Sequence, residues 1–152
     1  MSAQILVNID VPDLAAAERF YTAAFGLQPA RRLGAEAVEL SGWPALVYLL
    51  QKPAGSIAAG QESRRYHRHW TPVHLDVVVG DLDSAVARAV GAGALLEHPV
   101  REAVYGRIAM LADPFGHGLC LIEFNAQGYD ALGQEALTSE PEIAGTDKTS
   151  SA

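Results

Sequence analysis

Only one cysteine, Cys120, occurs in the 152 residues, so no internal disulfide can form and a metal cluster built from thiolates alone is excluded. Basic residues are also scarce. Eleven Lys plus Arg stand against 18 Asp plus Glu, and a net charge of −7 repels a polyanion or an acidic lipid surface over most of the protein. Nucleic acid and membrane partners are therefore not expected. There is no apolar run near the ~20 residues a membrane helix needs. The start, Met1-Ser-Ala-Gln-Ile5, lacks the basic segment followed by an apolar one that marks a secretory signal, and a cytoplasmic location is expected.

What is there is globular: 49% hydrophobic and 19% charged residues supply a real core, and the length suits one compact body. Apolar residues at Ile5, Val7, Ile9 and Val11 alternate as in a strand with one buried face, Leu6 being the apolar exception on the other. Pro12-Asp13 stops this strand, and Asp13 can cap a helix in which Leu14, Ala17, Phe20, Tyr21, Ala24 and Phe25 share one side before Gly26 ends it. Strands follow over 30–33, 37–41 and 45–51, with a turn at Ser41-Gly-Trp-Pro44. The unit is β, α, β, β, β.

Residues 52–72 join this module (1–51) to a second one. The segment is first rich in Pro, Gly, Ala and Ser, then basic and aromatic from Arg64 to Trp70. The second module, 73–126, repeats the order: a strand over 73–79, a helical face at Leu82, Ala85, Val86, Ala89 and Val90, strands over 96–101 and 106–112, the turn Asp113-Pro-Phe-Gly-His117, and a strand over 118–124. Val11-Pro-Asp-Leu14 reappears as Val79-Gly-Asp-Leu82. Residues 127–152 are polar and poor in bulky apolar side chains, and a disordered tail is expected there.

The element order, with the phrases Val79-Gly-Asp-Leu-Asp-Ser-Ala-Val-Ala87 and Asp113-Pro-Phe-Gly-His-Gly-Leu-Cys-Leu-Ile-Glu-Phe124, resembles the vicinal oxygen chelate superfamily over residues 4–126. Glyoxalase I, bleomycin-resistance proteins, fosfomycin-resistance transferases and extradiol dioxygenases belong to that superfamily. The resemblance implies an α+β fold in which two βαβββ modules form cupped mixed sheets with helices on the outer faces and a ligand in the cup. It also implies a homodimer, and it leaves activity open because one scaffold carries many chemistries.

Many such enzymes hold one divalent metal with a side chain from the first and last strand of each module. Counted from the repeated phrases, these positions fall here on Leu6, Tyr48, His74 and Cys120, which should share one inner wall. Leu6 offers no donor and a neutral phenol is a poor one, so no metal or other cofactor is expected, with His74 as the one weak candidate ligand. The alternative for His74 is an inward polar side chain bonded to a neighbour or to the ligand. Asp76 shares its face, and the two can serve as catalytic base and orienter or as a resting hydrogen bond. Asn8 is a ligand-binding candidate on the face of Leu6. Tyr48 offers a flat ring with a polar tip to a planar ligand, or simply packs in the core. Cys120 reads as a small buried hydrophobe shaping the cleft, whereas Glu123 alternates away from it towards the surface. Trp70 or Tyr66 can wall the cleft, or pack as part of a solvated arm; His98 and His117 beside turns are expected to be exposed.

Three functions compete. The first is a metal-independent receptor for a small organic molecule, resembling bleomycin-resistance proteins; the second is a glyoxalase- or dioxygenase-type enzyme using His74 as metal ligand or base. The third is an interaction domain, which no residue selects.

Overall fold

The computed structural model describes residues 2–133. The first module runs β1 (Leu6–Val11), α1 (Leu14–Phe25), β2 (Gln28–Arg32), β3 (Ala37–Ser41) and β4 (Leu46–Gln51), with its strands side by side in the order β1-β4-β3-β2. The arm carries a short hairpin, β5 (Ile57–Ala59) and β6 (Glu62–Ser63). The second module runs β7 (Leu75–Val78), α2 (Leu82–Gly91), β8 (Leu95–Leu96), β9 (Arg101–Ala103), β10 (Gly106–Ala112) and β11 (Gly118–Phe124), in the order β7-β11-β10-β8 with β9 also on β10. In each sheet the first strand lies parallel to the last and the rest are antiparallel. The α+β architecture and its doubled unit are as the sequence implies.

Both helices begin in the same way. Asp13 accepts from the Ala16 N–H at 2.9 Å and Asp81 from the Ser84 N–H at 3.0 Å, each capping free amides at a helix start. A second acceptor comes from the last strand of each module: Gln51 reaches the Leu14 N–H at 3.0 Å, and Glu123 the Leu82 N–H at 2.7 Å. Each helix is thus registered on its own sheet by a side chain that alternates towards it. Gly26 closes α1 in the left-handed conformation, with φ at 70°.

Packing follows the alternation. Ile9, Val11, Val38, Leu40, Val47 and Leu49 meet α1, while Ala109, Leu111, Leu119 and Leu121 carry the core on to α2. The two helices touch, and Phe20 sets its ring edge-on to Tyr21, Phe25 and Phe115, so the first helix seats directly on the 113–117 turn of the second module. One core results.

Three sequence expectations change in detail. The strand expected over 96–101 is two short pieces, because Pro99 has no N–H to give to the ladder. The arm is built rather than loose: Arg64 bonds Asp10 at 2.6 Å, Arg68 forks onto Glu97, and the Tyr66 hydroxyl donates to the Lys52 carbonyl at 2.8 Å. Residues 128–132 form a single 3-10 turn that sets Tyr129 against Tyr105 and Phe124, while 134–152, the rest of the expected tail, lie outside the described residues. No helix among the described residues is long and apolar enough to cross a membrane.

The arm's seat depends on Gly116, where φ is +94° and an added Cβ would stand 2.4 Å from the Tyr66 carbonyl oxygen. Gly116→Ala should cost roughly 2–4 kcal/mol in urea unfolding, through backbone clash and strain together. Gly55→Ala meets open space at a φ of +81° and should cost only about 1 kcal/mol. Equal losses would mean that the arm does not press on the turn.

Candidate functional site

Each sheet has one unpaired edge towards the other, β1 in the first module and β7 in the second. Between these edges lies a cavity of about 570 Å³. Leu6 to Asp10 form one wall and His74, Leu75 and Val77 the facing one; Tyr21 and Trp43 come from the first module, Thr71 and Val73 from the arm, and His117 to Leu119 from the second. A gap is natural here, since neither edge finds a partner strand among the described residues.

Away from the helices, each sheet presents a polar row. In the first, the register sets Asn8 beside Tyr48 and Tyr48 beside Glu39. Glu39 is buried, yet its carboxylate is fully engaged: Arg31 forks onto it at 2.9 and 2.6 Å, and the Tyr48 hydroxyl donates at 2.6 Å. Those donors, Arg31 first, hold the Glu39 carboxyl below its usual value, and the same carboxylate pushes the Tyr48 phenol up. Tyr48 therefore stays a neutral donor whose proton is already committed.

In the second sheet the equivalent row is Asp76 beside Cys120 beside Met110. His74, two residues before Asp76, turns its Nε2 to the Asp76 carboxylate at 3.1 Å, and its ring lies 4.8 Å from that of Trp70. One ligand atom from each of His74, Asp76 and Cys120 falls within 4.8 Å of the others. Imidazole, carboxylate and thiolate together suit zinc, whose catalytic sites take about three protein ligands. Burial, and then the Asp76 carboxylate, pushes the Cys120 thiol up to about 11, so a metal would have to displace a firmly held proton.

A third polar cluster closes the cavity at the seam between modules. The Asp113 side chain is fully buried and accepts four hydrogen bonds: from the Tyr21 hydroxyl at 2.8 Å, the backbone N–H of Phe115 at 2.9 Å and of His117 at 2.8 Å, and His117 Nδ1 at 2.7 Å. Burial and the neighbouring Asp113 carboxylate hold the Tyr21 phenol protonated well above its usual range.

Comparison with known proteins gives this geometry a family. The model of the glyoxalase-like domain matches residues 6–122. The chain belongs to the glyoxalase-like domain family. No curated relative matches it. Among solved structures it is similar to a glyoxalase/bleomycin resistance protein/dioxygenase family enzyme from Burkholderia phytofirmans PsJN, at 22% identity and TM-score 0.62, covering 79% of this chain and 97% of that one. The genomically encoded fosfomycin resistance protein from Listeria monocytogenes gives 15% identity and TM-score 0.64, with 84% and 97% covered. Lactoylglutathione lyase from Agrobacterium tumefaciens gives 22% and 0.56, with 81% and 94% covered. A variant of the Listeria protein is complexed with Mn(II) and 1S,2S-dihydroxypropylphosphonic acid. At these identities the likeness shows the fold.

In this glyoxalase-like domain the four positions singled out in the sequence do not share the one inner wall expected of them, because each sheet's polar row engages its own partners. Leu6 and His74 line the same cavity; Tyr48 belongs to the Glu39 cluster and Cys120 to the Asp76 cluster. Asn8 lines the cavity. Trp70 lies tilted against the His74 ring and is not among the residues lining the cavity, and Tyr66 sets its ring edge on to that of His117. Glu123 does point away from Cys120, but it is half-buried between the start of α2 and Arg107, not a surface group. His117 is likewise no exposed turn residue, being held by Asp113. Sequence reasoning missed Glu39, Arg31, Tyr21 and Asp113; the Asp-Pro-Phe-Gly phrase marked the turn without revealing where its carboxylate points.

The Cys120 thiol gives a titration to follow. Its folded value lies above the ordinary thiol value of 9.0, so the unfolded chain ionises first and stability should fall as pH rises from about 9 to about 11. Cys120→Ala should lack that part of the slope in urea unfolding measured across this range. Alkylation of native protein by iodoacetamide at pH 8 should be far slower than in urea; rapid labelling of folded protein would contradict the assigned burial.

Proposed function

We propose that this protein binds a small, largely apolar organic molecule in the cavity between β1 and β7, without a metal. The observation that carries the reading is the cavity itself. Its volume of about 570 Å³ falls within the range of roughly 300–1,000 Å³ typical of small-molecule sites, and it has the usual mixture of an apolar wall with a few polar points. Leu6, Val7, Trp43, Val73 and Val77 supply the wall, and Asn8 and His74 supply hydrogen-bonding groups at its polar side. Independence from metal is supported by two of the four positions at which relatives of this fold hold ligands. Leu6 has no donor atom, and the Tyr48 hydroxyl is committed to Glu39.

A one-ring aromatic such as fluorobenzene should therefore raise the unfolding temperature in a saturable way. At ten times its Kd the stabilisation would be roughly 1.4 kcal/mol. Asn8→Trp, which fills the cavity from an exposed position, should abolish the shift while leaving the circular dichroism spectrum unchanged. The same shift in that variant would place the ligand elsewhere, and no shift in the wild type would count against an apolar ligand in this cavity.

The His74–Asp76–Cys120 triangle favours a second reading, a metal-assisted enzyme of glyoxalase or dioxygenase type. When bound, a zinc-like ion would supply a Lewis acid for an oxygen of the substrate. On this reading His74, Asp76 and Cys120 hold the ion, and His74 is the only one of them that also lines the cavity. Protein dialysed against a chelator and titrated with Zn²⁺ separates the two. Metal-free binding predicts no stoichiometric uptake and no protection of Cys120 from alkylation. One tightly held ion per chain, lost in His74→Ala, would rule out the first reading and establish the second.

A further inference from the structure

The geometry points to His117 as the hydrogen-bond acceptor of the cavity, selecting an aromatic or apolar ligand that carries a hydroxyl donor. The inference deepens the reading above and rests on the ligand occupying the space between β1 and β7. It follows from asking which polar side chains on the lining are free to meet a ligand. Asp10 is taken by Arg64 at 2.6 Å, the Thr71 hydroxyl donates to the Val73 carbonyl at 2.9 Å, and the Tyr21 hydroxyl donates to Asp113. His74 has Nε2 turned to Asp76. Among the described residues, no protein group bonds the Asn8 amide or the Nε2 of His117.

Of these and the remaining ring nitrogen of His74, whose partner Asp76 is itself partly exposed, His117 is the one built to receive a ligand. Its Nδ1 lies 2.7 Å from the Asp113 carboxylate, an acceptor that is fully buried and fixed by three further donors. In a neutral imidazole a proton held at Nδ1 leaves a lone pair on Nε2, so the carboxylate sets the tautomer as well as the ring's orientation. The ring is further held by the edge contact of Tyr66 at 6.3 Å between centroids, and a third of the side chain remains exposed. An acceptor fixed before binding loses little freedom when a ligand arrives, whereas the exposed Asn8 amide must be ordered and stripped of water first.

The test uses fluorobenzene, 4-fluorophenol and 4-fluorobenzoate, followed by 19F NMR on the full-length protein in mildly alkaline buffer. Wild type should bind 4-fluorophenol roughly three- to tenfold more tightly than fluorobenzene, the worth of one neutral hydrogen bond. His117→Asn places an amide N–H where Nδ1 stood, keeping a donor for Asp113 while removing the Nε2 acceptor. The variant should bind both compounds alike. Independently of any change the substitution makes to the turn, the wild-type imidazole 15N signals give a second reading: 4-fluorophenol should shift His117 Nε2 and fluorobenzene should not. Equal affinities in wild type, a preference that survives in His117→Asn, or tighter binding of 4-fluorobenzoate overturns the assignment to His117 alone. Failure of all three compounds to bind overturns the cavity reading, and this inference with it.

Discussion

The buried Asp113 carboxylate is the joint on which the two halves turn. A charge removed from water costs several kcal/mol unless donors replace the lost hydration, and here four are converged on it. Two come from the backbone of its own turn, which only that turn conformation can present. The third is the Tyr21 hydroxyl, from the helix of the other module, and it fixes how that helix sits across the seam. With Phe20 against Phe115 beside it, the contact sets the two helices together on one side and leaves the edges of β1 and β7 opposed but unpaired. The cavity is a consequence of this docking, and His117 reaches it because the fourth donor to the same carboxylate is its own ring.

Duplication explains both the regularity and the asymmetry of the molecule. The parallel registers put Asn8 beside Tyr48 in one sheet and Asp76 beside Cys120 in the other, so these two pairs occupy equivalent places. The helix-facing positions have kept their chemistry, Gln51 and Glu123 each reaching the start of a helix. The opposite faces have diverged. In the first module the acidic side chain sits on β3 as Glu39 and is spent on Arg31 and Tyr48; in the second it sits on the first strand as Asp76 and stands beside an imidazole and a thiol. Among the described residues, the His74–Asp76–Cys120 triangle of metal-ligating side chains therefore falls in the second half.

Most of the fold was legible in the sequence because it is carried by local, repeated signals. Alternation over Val7, Ile9 and Val11 revealed a one-sided strand, Asp13 and Gly26 bounded a helix, and the return of Asp-Leu at 81–82 exposed the second module. The break at Pro99 could have been read from the missing N–H alone. Less of the site was legible, since it depends on pairs distant in sequence. Nothing near Asp113 indicates Tyr21, which is 92 positions away. Glu39, between Val38 and Leu40, looks like the solvent-facing member of an alternating strand, and only the approach of Arg31 and Tyr48 from neighbouring strands makes its burial tolerable.

Alternation also decides between the two carboxylates near the end of the chain's second sheet. Glu123 lies on the last strand, three residues beyond Cys120, and so faces α2, where it caps Leu82 and neutralises Arg107. It is structurally committed. Asp76 lies on the adjacent strand in register with Cys120 and shares its face, which is why the thiol feels its charge and Glu123 is absent from the forces acting on it. Burial first, and then the Asp76 carboxylate, disfavours a thiolate at Cys120, so the residue that could help it hold a cation also helps to keep its proton in place. The sheet register thus couples the two readings of the site: the thiol rests protonated beside Asp76, and a cation held by the same pair would have to displace that proton.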